Sequence, residues 1–433
     1  MFDLIRRLAA CWALAAVAAA ASGQTPPAAG EPAPPAERSR ATMADLARAY
    51  VELERAFFAA PVDRELCREV NAAFDEATLL FFSGNLGRVV EKVEAQTARL
   101  MKANNLEEGV LHAPRGARAP DGAPRTRDEP GAPIDPRALL GTDADDALVQ
   151  KVRWPGRSEA VWRERRALLH RVESAGSMES LLFDAPDLRA DLIGEYRAAA
   201  AGENPYANRR GDLWRPFFVG DEPAPMRLFC PEHREAPAAG WPLVVALHGA
   251  GGNEHMFFAA YGVGRIKQLA ERRGFVVACP QNSPLAAQPA IFDSLVESVA
   301  AEYPIDRSRV YLIGHSMGAA VSLAWGRARH DKVAACALIA GAGRMSPRDR
   351  LPPTLVVAAE LDGLIPARSI IDNAERAAAA GLTIETREVK DYGHTLVVGH
   401  VLPEVVEWLL KHAREDRPPV PQTPARIEQG ASP

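Results

Sequence analysis

No Cys-x-x-C pair occurs in the 433 residues, and cysteine is scarce, with five in all at positions 11, 67, 230, 279 and 336. That spacing argues against the common zinc and dithiol redox motifs. Basic charge is not in excess either: 51 Lys and Arg stand against 56 Asp and Glu, a net charge of −5. Nothing in this balance points to nucleic acid or to an anionic membrane surface as a partner. The Gly-rich stretch Gly249-Ala250-Gly251-Gly252 lacks the Gly-Lys-Ser/Thr ending of a phosphate-binding P-loop. No cofactor and no metal is expected.

What is present is an ordinary globular composition, 47% apolar and 25% charged. The length leaves room for two or three domains. Residues 1–23 read as a signal peptide: Arg6 and Arg7 precede the Ala-rich apolar run Leu8 to Ala21, and small residues follow. The run is short for a membrane span. The expectation is therefore export, to the periplasm or beyond, with no stable membrane insertion after cleavage. Cys11 would leave with the signal. Cys279 and Cys336 lie in apolar strand-like runs, where a free thiol packs as a small hydrophobe; the pairing of the remaining cysteines is left open.

Proline, with 35 residues, punctuates the chain. Residues 24–40 read as a disordered Pro/Ala-rich tether, 105–136 as a disordered Pro/Gly-rich linker and 415–433 as a disordered Pro-rich tail. Between the first two, residues 41–104 have helical periodicity. Leu46, Tyr50, Leu53 and Phe57 share one face, as do Leu66, Val70 and Phe74, and Gly84-Asn85 precedes a third segment with Val89, Val90 and Val93. These stripes read as the core of a small helical unit, with a groove for a protein partner as the alternative. Helical signals return over 137–213, with Trp162, Leu168, Leu169, Leu188 and Leu192, but no motif there assigns a role.

From 214 to 414 the texture changes to alternating strands and helices, the pattern of an α/β domain with a mostly parallel sheet. Within it, the β-branched run Arg309 to Gly314 reaches Gly314-His315-Ser316-Met317-Gly318, and a helical segment follows. Strand, Gly-x-Ser-x-Gly and helix together make a nucleophile elbow. The turn is strained, so Gly314 and Gly318 must leave space around the serine.

A serine hydroxyl needs a base to take its proton. In an elbow fold the partners follow in the order acid, then His, each after a later strand. Asp362 lies in the turn after the strand Thr354–Ala359, with Gly363 and Pro366 beside it, and His394 follows Gly393 after the last strand. These assignments make Ser316 the nucleophile, His394 the general base and Asp362 the group that orients the imidazole. His400 is a rival base, and Glu360 and Asp391 are rival acids. The N–H groups of Met317 and Ala250 are assigned to the oxyanion, and His248 to loop orientation.

Residues from about 214 to 412 resemble the α/β-hydrolase superfamily through His248-Gly249-Ala250-Gly251-Gly252, the Ser316 elbow, Asp362 with Pro366, and Gly393-His394. The pattern is similar to the compact esterases of the secreted feruloyl- and polyhydroxybutyrate-esterase, phospholipase/carboxylesterase and dienelactone hydrolase types. Ser316 departs from the last, which carry a cysteine nucleophile, and Ala319 stands where compact esterases often have a second glycine. The resemblance implies an α/β-hydrolase fold, here preceded by a smaller all-helical region. It also implies hydrolysis of a small-molecule or polymer-linked ester through an acyl-enzyme, without a cofactor. A serine peptidase of the prolyl oligopeptidase type and a non-catalytic binding protein of the same fold are the alternatives. No long insertion separates Ala340 from Thr354, so a fairly open pocket is expected.

Overall fold

The computed structural model describes residues 41–111, 136–141, 146–174, 176–282 and 288–414. The expected signal peptide, tether and tail, and most of the 105–136 linker, lie outside the described residues. Among those described, no helix is long and apolar enough to cross a membrane.

Three helices open the described chain: α1 (Met43–Ala59), α2 (Arg64–Phe82) and α3 (Leu86–Ala103). Their boundaries have local causes. Thr42 and Asp45 form a reciprocal capping box at the start of α1. The Asp63 carboxylate accepts the N–H groups of Glu65 and Leu66 at the start of α2. Gly84, at φ 79°, makes the turn into α3. The periodic residues read from the sequence, among them Leu53, Phe57, Val70, Phe74 and Val93, pack into one cluster that Leu396 of the sheet domain also joins.

Two further helices, α4 (Ser158–Glu173) and α5 (Ala185–Ala200), pack through Trp162, Leu168, Leu169 and Leu192 against Leu213 and Trp214. A buried ion pair joins them, Arg165 Nε to both carboxylate oxygens of Glu195 at 3.0 Å, and the Tyr206 hydroxyl donates to the same carboxylate. Every polar atom in such a pair needs a partner for burial to be tolerable.

The sheet has eight strands: β1 (Gly211–Val219), β2 (Glu222–Cys230), β3 (Trp241–Leu247), β4 (Val276–Pro280), β5 (Ile305–His315), β6 (Ala335–Ile339), β7 (Thr354–Ala359) and β8 (Ile384–Val389). Their spatial order is β1-β2-β4-β3-β5-β6-β7-β8. The β1–β2 and β2–β4 pairs are antiparallel, and every other pair is parallel. Between the strands run α6 (Tyr261–Arg273), α7 (Pro289–Ala300), α8 (Met317–Ala328), α9 (Ala367–Ala379) and α10 (Val397–Leu410). Adjacent residues of β3 show the two-sided burial: Val244 packs with α6 and α10, Val245 with α7, α8 and α9. A strand that is apolar at every position from Leu243 to Leu247 is the mark of a sheet covered on both faces. This is the mostly parallel sheet with helices on both faces, preceded by helices, that the sequence predicts.

One boundary differs from the sequence reading. The sheet starts at Gly211, not 214, because the aromatic-rich segment before Phe218 is itself a strand. Pro216 obscures it, yet β1 is an edge strand, where proline is tolerated. The last helix, Val397–Leu410, runs on with Pro403 inside it. Proline cannot donate to the carbonyl four residues back, that of Gly399. Arg265 of α6 supplies the missing donor at 2.9 Å.

Candidate active site

Ser316 stands between β5 and α8 with φ 54° and ψ −115°, a conformation that side-chain-bearing residues rarely adopt. The surroundings hold it there. Its N–H donates to the Ile339 carbonyl of β6 at 2.9 Å. A β-carbon on Gly314 would run into the Gly318 backbone, and one on Gly318 into the Leu247 and His248 carbonyls. Gly341, after β6, has its space filled by the Ser316 backbone. The strain is thus imposed by strands on both sides of the turn.

Asp362 and His394 meet across two loops. Asp362 Oδ2 lies 2.8 Å from His394 Nδ1, and both residues are buried. The other oxygen, Oδ1, accepts the N–H groups of Leu364 (2.9 Å) and Ile365 (2.7 Å), which fixes the carboxylate plane. Ser316 and His394 line the same cavity. Neither the Ser316 hydroxyl nor His394 Nε2 has a hydrogen-bond partner among the described residues; such bonds are often open in unliganded sites. The rivals sit elsewhere. His400 is exposed on α10, stacked on Tyr392 with ring centroids 4.2 Å apart. Asp391 pairs with Arg64 and Arg68, and Glu360 with Arg68 and Lys390.

On the opposite wall, the loop after β3 brings Gly249, Ala250, Gly251 and Gly252 to the cavity. The N–H groups of Ala250 and Met317 have no protein partner among the described residues. His248 is turned away from the chemistry. Its Nε2 accepts the Asn282 N–H at 3.1 Å, and Nδ1 lies 2.8 Å from the Gly249 carbonyl. Burial lowers its pKa to about 4, so the ring is neutral at ordinary pH. His315 is also buried, and its Nε2 meets the His394 carbonyl at 2.9 Å. Burial holds this ring well below the usual histidine range.

Much of the rest of the cavity wall comes from α1–α3, which the sequence left without a role. Leu46, Tyr50, Phe74, Phe81, Val89 and Val93 close over Ser316 and His394, leaving about 140 Å³. The pocket expected to be fairly open is walled in part by helices that end at Ala103, far ahead of the elbow in the chain, rather than by an insertion after β6. Contact is close. A β-carbon on Gly251 would lie 2.7 Å from the Phe81 ring. Polar contacts accompany it. Asn71 Oδ1 accepts the Gly393 N–H at 2.8 Å, and Asp75 accepts the His394 N–H at 3.0 Å and the Gly363 N–H at 2.9 Å. The available signal was Asn71 and Asp75, polar residues one helical turn apart beside the apolar stripe of α2.

A family model described as the alpha/beta hydrolase family matches residues 244–431. No curated protein matches the chain. Among solved structures, a thermostable esterase is 22% identical with a TM-score of 0.38, over 47% of this chain and 63% of that one. The match therefore spans less than two thirds of that esterase. An acetyl xylan esterase from Aspergillus awamori is 14% identical, TM-score 0.37, over 46% of this chain and 97% of the other. An S-formylglutathione hydrolase from Agrobacterium tumefaciens is 14% identical, TM-score 0.39, over 48% and 98%.

Proposed function

We propose, from the match of residues 244–431 to a model of the alpha/beta hydrolase family, that the protein is an exported serine hydrolase that cleaves carboxylic esters with short acyl groups. The observation that carries this reading is the 2.8 Å contact of Asp362 with His394, on the cavity that the elbow serine also lines. Export rests on Arg6, Arg7 and the apolar run that follows them.

The chemistry runs in two halves. His394 Nε2 takes the proton of the Ser316 hydroxyl as Oγ bonds to the ester carbonyl carbon. Asp362 accepts from Nδ1–H and stabilises the imidazolium. The N–H groups of Met317 and Ala250 receive the oxyanion, each such donor contributing roughly a hundred- to a thousandfold in rate. Collapse breaks the bond to the alcohol oxygen, which leaves with the proton from His394. Water then attacks the acyl-enzyme, giving its proton to His394, and the acid departs as Ser316 recovers its hydrogen.

Short acyl groups follow from space. Pockets for drug-sized ligands hold about 300–1,000 Å³, and this cavity has about 140 Å³ with aromatic walls. The test is turnover of p-nitrophenyl acetate by the wild type and by Ser316→Ala. The variant is expected to stay folded and to lose turnover by at least about a thousandfold. Undiminished activity in it would sink the reading.

A further inference from the structure

Asp75 is a buried carboxylate that the chemistry above does not use, and it comes from a helix outside the sheet domain. Both its oxygens lie 3.0 Å from the His394 nitrogen, and Oδ2 also accepts from Gly363, next to Asp362. One helical turn earlier, Asn71 Oδ1 takes the N–H of Gly393 at 2.8 Å, while its Nδ2 donates to the Cys67 carbonyl at 2.8 Å. Consecutive amides of the histidine loop, and one of the aspartate loop, are therefore held by two side chains of α2.

The receiving loops are shaped to fit. A β-carbon on Gly393 would sit 2.8–3.0 Å from the carboxylate atoms of Asp75, so any larger residue would displace it. On Gly363 the same atom would lie 3.5–3.6 Å away, in ordinary contact. Nothing else among the described residues supplies an acceptor to those three N–H groups, and an unsatisfied buried N–H costs roughly 1–3 kcal/mol. Without α2 the segment 391–395 would have reason to rearrange.

We propose that Asn71 and Asp75 are positioning residues of the active site. They hold the Gly393–His394 backbone so that the imidazole stays on Asp362, which makes α1–α3 a structural part of the catalytic centre and not a separate module. The proposal rests on the hydrolase reading of Ser316, His394 and Asp362. Burial pushes the Asp75 carboxyl up to about 6, against the pull of the Gly363 and His394 N–H groups, so the ionised acceptor still predominates at neutral pH. A misplacement of about 1 Å in a catalytic group can cost on the order of a hundredfold in rate.

The test uses the full chain. Asp75→Ala is expected to lower kcat for p-nitrophenyl acetate by at least about tenfold with KM changed less than about threefold. Asp75→Asn, which keeps an acceptor, is expected to restore most of kcat. A folded Asp75→Ala protein with wild-type kcat would overturn the proposal. Should that variant fail to fold, amide exchange on the wild type decides instead: the Gly393 and His394 amides must be protected as strongly as the α2 backbone, and fast exchange there would overturn the anchor. Loss of all ester turnover in the wild type would count against the hydrolase reading alone, since the exchange measurement is independent of substrate.

Discussion

The Tyr261 hydroxyl lies 2.7 Å from His315 Nδ1, and this bond has only one consistent direction. His315 Nε2 faces the His394 carbonyl, which can only accept, so Nε2 carries the hydrogen and Nδ1 accepts from tyrosine. The Gly249 N–H in turn points to the tyrosine oxygen at 3.4 Å. The glycine loop, the elbow and the histidine loop are thereby tied through one neutral ring. Tyr261→Phe leaves Nδ1 and the Gly249 N–H without partners. It is expected to lower stability by about 1–3 kcal/mol, measured by urea unfolding, and to lower kcat as well. An unchanged unfolding midpoint would show that the tyrosine does not tie these loops together.

Rival assignments for the acid and the base differ in cost. Asp362→Asn and His394→Ala are expected to lower kcat by roughly a thousand- to ten-thousandfold, the loss that a Ser-His-Asp triad implies. Labelling of Ser316 by a fluorophosphonate probe should fall in parallel. His400→Ala should keep kcat within about twofold, because that ring is exposed and stacked on Tyr392. Asp391→Asn and Glu360→Gln should do the same, since both carboxylates are occupied by Arg and Lys side chains at the surface. A larger loss in any of these three than in Asp362→Asn or His394→Ala would move the role to that residue.

These residues were legible in the sequence because each carries a local signal. Gly314 and Gly318 bracket a serine at a strand end, Asp362 precedes Gly363 and Pro366, and His394 follows Gly393. Strand alternation and helix periodicity are likewise properties of neighbouring residues. The cover over the cavity is not. Asp75 and His394 are 319 positions apart, and nothing within a few residues of either announces the other. Phe74 reads as core, which it is, but the core it joins includes Leu396, and Phe74 also walls the cavity. Pro403 shows the same limit: its helix continues only because Arg265 caps the carbonyl that proline cannot serve.

Acyl length should answer to α2. Phe81 lies over Gly251 and narrows the cavity beside the glycine loop. Phe81→Ala is expected to raise the ratio of butyrate or hexanoate to acetate turnover by about tenfold, the worth of a methylene or so in an apolar pocket. Peptide substrates should remain unreactive, which separates the esterase reading from the peptidase alternative. A panel of p-nitrophenyl esters from acetate to octanoate reads the shift. An acyl-length profile identical to the wild type would mean that the acyl group lies elsewhere.

The docking of α1 should depend on pH through Glu54. Its Oε2 accepts the Gly262 N–H at 2.9 Å and its Oε1 the Tyr50 hydroxyl at 3.0 Å. Burial raises the carboxyl from 4.5 to about 7, although the Gly262 N–H, Tyr50 and Arg265 each pull it down. The folded chain therefore keeps a proton that the unfolded chain releases between pH 4.5 and about 7. The contribution of Glu54 to stability must decline as pH rises through that window, by about 3 kcal/mol at 1.36 kcal/mol per unit. Glu54→Gln mimics the protonated acid, with an acceptor for Gly262 and a donor for Tyr50. Its stability relative to wild type should thus improve by about 2–3 kcal/mol between roughly pH 5 and roughly pH 8. Urea unfolding at the two pH values measures the difference, and parallel curves for the two proteins would show that Glu54 does not titrate in the folded chain.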